Sequence, residues 1–225
     1  MEPREQGDAV EIGRDKPSTY GEWWDNNNLD ESWYSSIFDV RPRAYQYFMD
    51  WFSGLIRRGG QIDSVLEVGC GRGQPYTRLF EGYDYHGADI STKEIAYCQE
   101  KYPNGWNRFF QADAIKDDLR GPYDVVFSHA VVDHVYDINL FLQKLAQASK
   151  GWLYISSYRG WFPRLTYHEY EWYDPCTSFL NNLSPIETRR ALEAVGCTDV
   201  EIYPLFVGNK ADQIPLEMVI TARRP

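Results

Sequence analysis

The chain has 225 residues, a formal net charge of −10, 43% hydrophobic residues and 25% charged ones. This is the profile of a water-soluble globular chain long enough to bury a sizeable core. Its acidity excludes a surface built to hold phosphate backbones or anionic lipid, so neither a nucleic acid nor a membrane is expected as a partner.

Residues 1–18 are polar and mixed in charge, and they read as a mobile arm. They have no apolar h-region and carry acids, so neither a secretory signal nor a transit peptide is expected. No apolar run approaches the roughly 18 residues of a membrane span. Cys70, Cys98, Cys176 and Cys197 are scattered and form no Cys-x-x-Cys, which suits a reduced, cytoplasmic protein. Residues 20–58 are rich in Tyr, Trp and Phe, and "RPRAYQYFMDWFSGLIRR" repeats Tyr45, Phe48, Phe52 and Leu55 at helical spacing. Gly59-Gly60 should end that helix.

From residue 62 strands and helices alternate. "SVLEV" reads as a strand, followed by a glycine turn and a helix through Leu79. "YDYHGADI" is a second strand and "STKEIAYCQEKY" a helix, with Ser91 and Glu94 spaced as a capping box. "WNRFFQAD" and "GPYDVVFSHA" read as strands three and four, "INLFLQKLAQASK" as a helix and "GWLYISSY" as strand five. "SPIETRRALEAVG" is a helix opened by Ser184 and Pro185 and closed by Gly196. "DVEIYPLFV" and "LEMVITARR" form a final hairpin around the loop "GNKADQIP". The expected architecture is α/β: a doubly wound, mostly parallel seven-stranded sheet with a C-terminal antiparallel hairpin, in a single domain over 1–225. Residues 157–183 interrupt the rhythm with a segment too long for a simple loop and too aromatic for a disordered one.

In such a sheet ligands bind at the carboxyl ends of the strands, where the strand order reverses. Gly69, Gly71 and Gly73 follow the first strand, and Gln74 stands where a dinucleotide fingerprint needs its third glycine. No P-loop Lys follows either. Acids close the successive strands. Asp89 is placed to accept from ribose hydroxyls, Asp113 from an adenine amino group, and Glu67 from an amino or water-bridged ammonium group. Acceptors for a nucleoside and a cation, with no site for a pyrophosphate, suit S-adenosylmethionine (SAM).

"VLEVGCGRG", "YHGADIS", "FFQADA" and "YDVVFSHAVVDHV" resemble, in order and spacing, the successive motifs of class I SAM-dependent methyltransferases. The resemblance covers roughly residues 62–156 and implies the Rossmann-like methyltransferase fold. It places Gly69, Gly71 and Gly73 along the methionine moiety, Asp89 and Ile90 at the ribose end of strand two, Asp113 and Ala114 at the adenine, and Ser128 and His129 beneath the sulfonium. A nicotinamide enzyme is the rival, set aside on Gln74 and the terminal hairpin.

The acceptor is expected to be a small molecule methylated on oxygen or nitrogen. An acceptor that must lose a proton calls for a base. His134 has two readings, a base or a buried imidazole that shapes its loop beside Asp133, and His168 in the aromatic segment is the reserve base. "HAVVDHV" resembles the E-x-x-E-H segment of ubiquinone-type O-methyltransferases, but Ala130 replaces the first acid, so no metal is expected. The aromatic stretches 20–52 and 152–173 are the expected cap over the acceptor, with 157–183 as its insert. A protein methyltransferase acting on a Lys or N-terminal amine, and a silent SAM-binding partner subunit, are the alternatives.

Overall fold

The computed structural model describes residues 16–27, 42–206 and 216–225. The expected arm before residue 16, the part of the expected helical cap at 28–41 and the hairpin loop at 208–215 lie outside the described residues.

The sheet has seven strands in the order β3-β2-β1-β4-β5-β9-β8. They are β1 (Ser64–Val68), β2 (Asp84–Asp89), β3 (Phe109–Gln111), β4 (Tyr123–His129), β5 (Ser149–Ser157), β8 (Thr198–Phe206) and β9 (Leu216–Arg223). The first five pair in parallel, and β9 runs antiparallel to both β5 and β8. The order reverses between β1 and β4, which opens a crevice at their carboxyl ends.

Alternation along the strands builds two cores. Leu66, Val126, Leu153, Ile155 and Ile220 face one side, where helices α6 (Ile138–Ala148) and α7 (Pro185–Ala194) pack. Val65, Val125, Phe127, Tyr154 and Val219 face the other, with Phe48, Phe52 and Leu55 of helix α2 (Pro42–Arg57) and Ile95 of α4 (Thr92–Lys101). Each fully buried aliphatic or aromatic side chain contributes about 1.5–3 kcal/mol relative to exposure, so both faces need a cover. Helix α2 ends as its glycines predict: Gly59 takes φ +84°, and Gly60 N–H reaches the Leu55 carbonyl at 3.0 Å.

Two local expectations change. The third strand is shorter than predicted because Gly105–Arg108 forms a helical turn, α5, docked against α4 so closely that a Cβ on Gly105 would lie 2.4 Å from the Cys98 carbonyl oxygen. The capping box is half made. Ser91 accepts from Glu94 N–H at 3.2 Å, but the Glu94 carboxylate goes to Arg72, and the Ser91 N–H donates to Asp89 instead. The aromatic segment carries a two-stranded hairpin, β6 (Trp172–Tyr173) with β7 (Ser178–Phe179), outside the main sheet.

The turn after β1 depends on Gly69 for two reasons. Its φ is +83°, and a Cβ there would lie 2.1 Å from Val131 Cγ2 in the β4 loop. What approaches this glycine is the chain's own loop. Gly69→Ala is therefore expected to cost at least about 2 kcal/mol from the left-handed backbone and the clash together, read as a lowered urea midpoint. An unchanged midpoint would show that the β4 loop yields freely.

Candidate active site

The carboxyl ends of β1, β2 and β4 and the loop after β3 enclose a cavity of about 560 Å³, a size that suits a nucleoside-containing ligand. Among the described residues that line it are four acids, Glu67, Asp89, Glu94 and Asp113, and no Lys or Arg.

Asp89 ends β2 and is the hinge of the site. Its Oδ2 accepts from Gly71 N–H at 2.8 Å and its Oδ1 from Ser91 N–H at 2.9 Å. Burial, offset in part by these two bonds and reinforced by Glu94, pushes its carboxyl up to about 6. Ile90, the next residue, lines the cavity as expected from its place. Glu67 is buried, accepts from the Tyr85 hydroxyl, and is pushed by burial well above the usual carboxylate range. A cation at that end of the cavity would favour its ionised form. Asp113, followed by Ala114, sits at the rim. It accepts from Tyr136 Oη at 3.1 Å and from Ile115 N–H at 3.1 Å, and it pairs with Lys16 at 3.6 Å.

The other expected residues divide. Gly69 and Gly71 line the cavity, while Gly73 does not, since its missing side chain leaves room for Thr77, Phe109 and Tyr102. Ser128 is also turned away: its hydroxyl donates to the Val68 carbonyl at 2.8 Å and ties β4 to β1. His129 lines the cavity, stacked on Tyr76 at 5.4 Å with Nδ1 2.9 Å from Ser156 Oγ.

His134 lies in a 3-10 turn, Val132–His134, that opens into the cavity. Its Nδ1 donates to the Phe179 carbonyl at 2.9 Å, which leaves Nε2 as the acceptor, 3.2 Å from Tyr158 Oη. Burial holds its pKa below the ordinary imidazole value, against the opposing pull of Asp133. Asp133 itself is fully buried and accepts from Ser157 Oγ at 2.6 Å and from the Tyr158 and Arg159 N–H groups. Its carboxylate braces the start of the insert, and among the described residues no three potential metal ligands converge.

His168 does not reach the cavity. It is buried, accepts from Ser184 N–H at Nδ1 at 3.0 Å, and so satisfies the N-cap backbone of α7. The residue expected as a reserve base thus lies away from the cavity, and burial pushes it down to about 4. The insert aromatics are similarly redistributed. Trp161, Tyr170 and Trp172 pack on the α6–α7 core and Tyr167 is 68% exposed; only Tyr158 and Cys176 of the insert line the cavity.

Of the two expected aromatic stretches, the N-terminal one supplies most of the wall: the short helix α1 (Glu22–Asn26) and the turn before it bring Tyr20, Trp23 and Trp24 to the cavity. The helix is strapped at both ends. Gly21 N–H and Trp23 N–H donate to Thr177 at 2.9 and 2.8 Å, and the Asp25 carboxylate accepts from Ser91 Oγ at 2.7 Å. The Trp pair after a glycine was the available signal, but nothing in its spacing says which sheet edge it reaches.

A family model described as a methyltransferase domain matches residues 40–202. The chain belongs to this family. A ubiquinone biosynthesis O-methyltransferase of Chelativorans sp. is 24% identical over 91% of this chain and 89% of its own length. One from Bradyrhizobium sp. is 32% identical over 62% and 58%. The match to one from Nitrobacter winogradskyi spans about half of that relative, 51%. Among solved structures, magnesium protoporphyrin IX methyltransferase of Synechocystis with bound S-adenosylhomocysteine aligns over 91% of this chain and 92% of its own, with a TM-score of 0.57 at 17% identity. A SAM-dependent methyltransferase of Mesorhizobium loti aligns over 72% and 90%, with a TM-score of 0.55 at 16% identity. At these identities the structures show the fold. The cavity fits SAM in chemistry as well, because acid acceptors with no Lys or Arg among the described lining residues suit a cofactor that is positively charged and free of phosphate.

Two outcomes follow from these protonation states. An ionised Asp89 accepts hydrogen bonds more strongly than a protonated one, so S-adenosylhomocysteine affinity is expected to rise from pH 5 to 7 and level off above. Asp89→Asn should flatten that profile, and calorimetry at several pH values checks it. His168 is neutral in the fold and protonates more readily when unfolded, so its stability contribution is present above about pH 6.5 and is lost as pH falls toward 4. His168→Ala should lower stability by about 1–3 kcal/mol at pH 7 while turnover per folded molecule stays unchanged.

Proposed function

We propose that the enzyme methylates a hydroxyl oxygen of a small-molecule acceptor seated between Trp24, Tyr158 and His134. The observation that carries this reading is the fixed tautomer of His134, whose Nδ1–H is held by the Phe179 carbonyl and whose Nε2 lone pair faces the cavity beside the Tyr158 hydroxyl. The names of the ubiquinone biosynthesis relatives support an oxygen acceptor of modest size.

SAM, when bound, supplies an electrophilic methyl group on a sulfonium whose departure needs no acid. Asp89 and Asp113 would hold its ribose and adenine, with Glu67 toward the amino acid end. The protein's remaining work is alignment, exclusion of water and removal of one proton. Alignment alone is worth about 7–11 kcal/mol in well-oriented systems. Trp24 meets His134 edge to face with ring centroids 5.7 Å apart and covers one side of the imidazole. The acceptor hydroxyl takes the position of the Tyr158 hydroxyl at Nε2 and gives its proton there. The Phe179 carbonyl keeps the ring oriented, and Asp133, although bonded elsewhere, lies close enough to stabilise the imidazolium.

Burial holds His134 below the ordinary imidazole value, which favours the neutral form, so turnover should be flat above neutrality and fall in acid, at a lower pH than a free imidazole would give. His134→Ala should cut kcat by ~10²–10⁴ with S-adenosylhomocysteine affinity unchanged, as loss of a general base does. The test is SAM turnover against hydroxylated small molecules, parallel amines and a protein fraction. Methylation confined to the protein fraction, or a His134→Ala rate within a few-fold of wild type, would overturn the reading.

A further inference from the structure

Glu94 is a carboxylate that the helix does not need. It stands in the first turn of α4, where the Ser91 spacing would send its side chain back to the Ser91 N–H. That N–H is taken by Asp89, so the Glu94 carboxylate turns the other way. Its Oε2 accepts from Arg72 Nε at 2.7 Å, and Arg72 sits between Gly71 and Gly73 in the loop after β1. The guanidinium is also held over the Tyr97 ring, 4.5 Å from its centroid. Both partners are therefore fixed, and the side chain of Glu94 is only 2% exposed.

The other oxygen, Oε1, is buried and among the described residues has no hydrogen-bond donor, although Glu94 lines the cavity. A buried carboxylate oxygen without a donor is expensive and calls for a partner that arrives with the ligand. It lies on the Asp89 side of the cavity, close enough for its charge to act on Asp89. Each Asp89 oxygen already accepts one backbone N–H. Two acceptor carboxylates that face one region repel unless donors stand between them, and a vicinal diol supplies two O–H donors.

We propose that Glu94 is a second ribose-binding carboxylate, oriented by Arg72, that shares the two ribose hydroxyls of the cofactor with Asp89. This rests on the reading that the ribose lies at the end of β2. The Arg72 pair makes it a pre-set acceptor and couples the glycine loop to the sugar, since the same interaction that aims Glu94 pins residue 72.

The test is calorimetry with S-adenosylhomocysteine, adenosine and 2′,3′-dideoxyadenosine on wild type, Glu94→Gln, Arg72→Met and Asp89→Asn. Glu94→Gln keeps the volume and can still accept from Arg72, so the fold should persist. It should weaken S-adenosylhomocysteine and adenosine on the order of tenfold, as loss of a charge-assisted bond does, and should leave dideoxyadenosine unchanged. Arg72→Met, which frees Glu94 without removing it, should reproduce part of the loss for the two hydroxyl-bearing ligands. Equal losses for adenosine and dideoxyadenosine in Glu94→Gln, or none for either, would overturn the proposal. If Asp89→Asn alone discriminates the two nucleosides, the ribose reading stands and Glu94 is excluded. If neither variant discriminates them, the ribose lies elsewhere and both readings fail.

Discussion

The site hangs on the Asp89 carboxylate. One oxygen holds the N–H of Gly71 in the loop after β1, and the other holds the N–H of Ser91 at the start of α4. Two neighbouring strand ends are thereby joined through one half-buried group, and the loop after β1 is held still by the chain itself. The cost is an elevated pKa, because desolvation outweighs the two backbone bonds. A group so placed shapes the loop and lines the cavity at once.

Around that clamp the N-terminal of the two aromatic stretches closes the cavity. A five-residue helix, too short to be stable by itself, is anchored by Thr177 of the insert on one side and by Ser91 on the other. Its Trp23 and Trp24 meet edge to face, 4.6 Å apart, and Trp24 continues to His134. Aromatic rings give a rigid wall at low entropic cost. The insert contributes less to the wall than its composition suggests: it spends its rings on the α6–α7 core and supplies Thr177 and Phe179 as backbone anchors.

The two histidines show how differently one residue type can be used. His134 is half-buried and His168 buried, and both are lowered in pKa. In one the accepting nitrogen meets the Tyr158 hydroxyl at the cavity, and in the other it is consumed by a helix N-terminus. Sequence spacing does not separate them. His134 follows a strand end, which is a positional signal; His168 lies within an irregular segment, whose path is set by packing alone.

The amino-acid sequence by itself determined the strand and helix order, the seven-stranded sheet with its antiparallel end, and the acids and glycines at the strand ends, because period-two and period-3.6 patterns and strand-end positions are local properties. The tertiary structure alone decided which side chains face inward at those ends. Ser128 turns to the Val68 carbonyl, Gly73 makes room for Thr77, and Glu94 leaves its capping box for Arg72. It also brought Trp24, His134 and Tyr158 together from three distant segments. Those outcomes follow from competition among groups far apart in the chain for the same donors and the same space, and no local pattern records who wins.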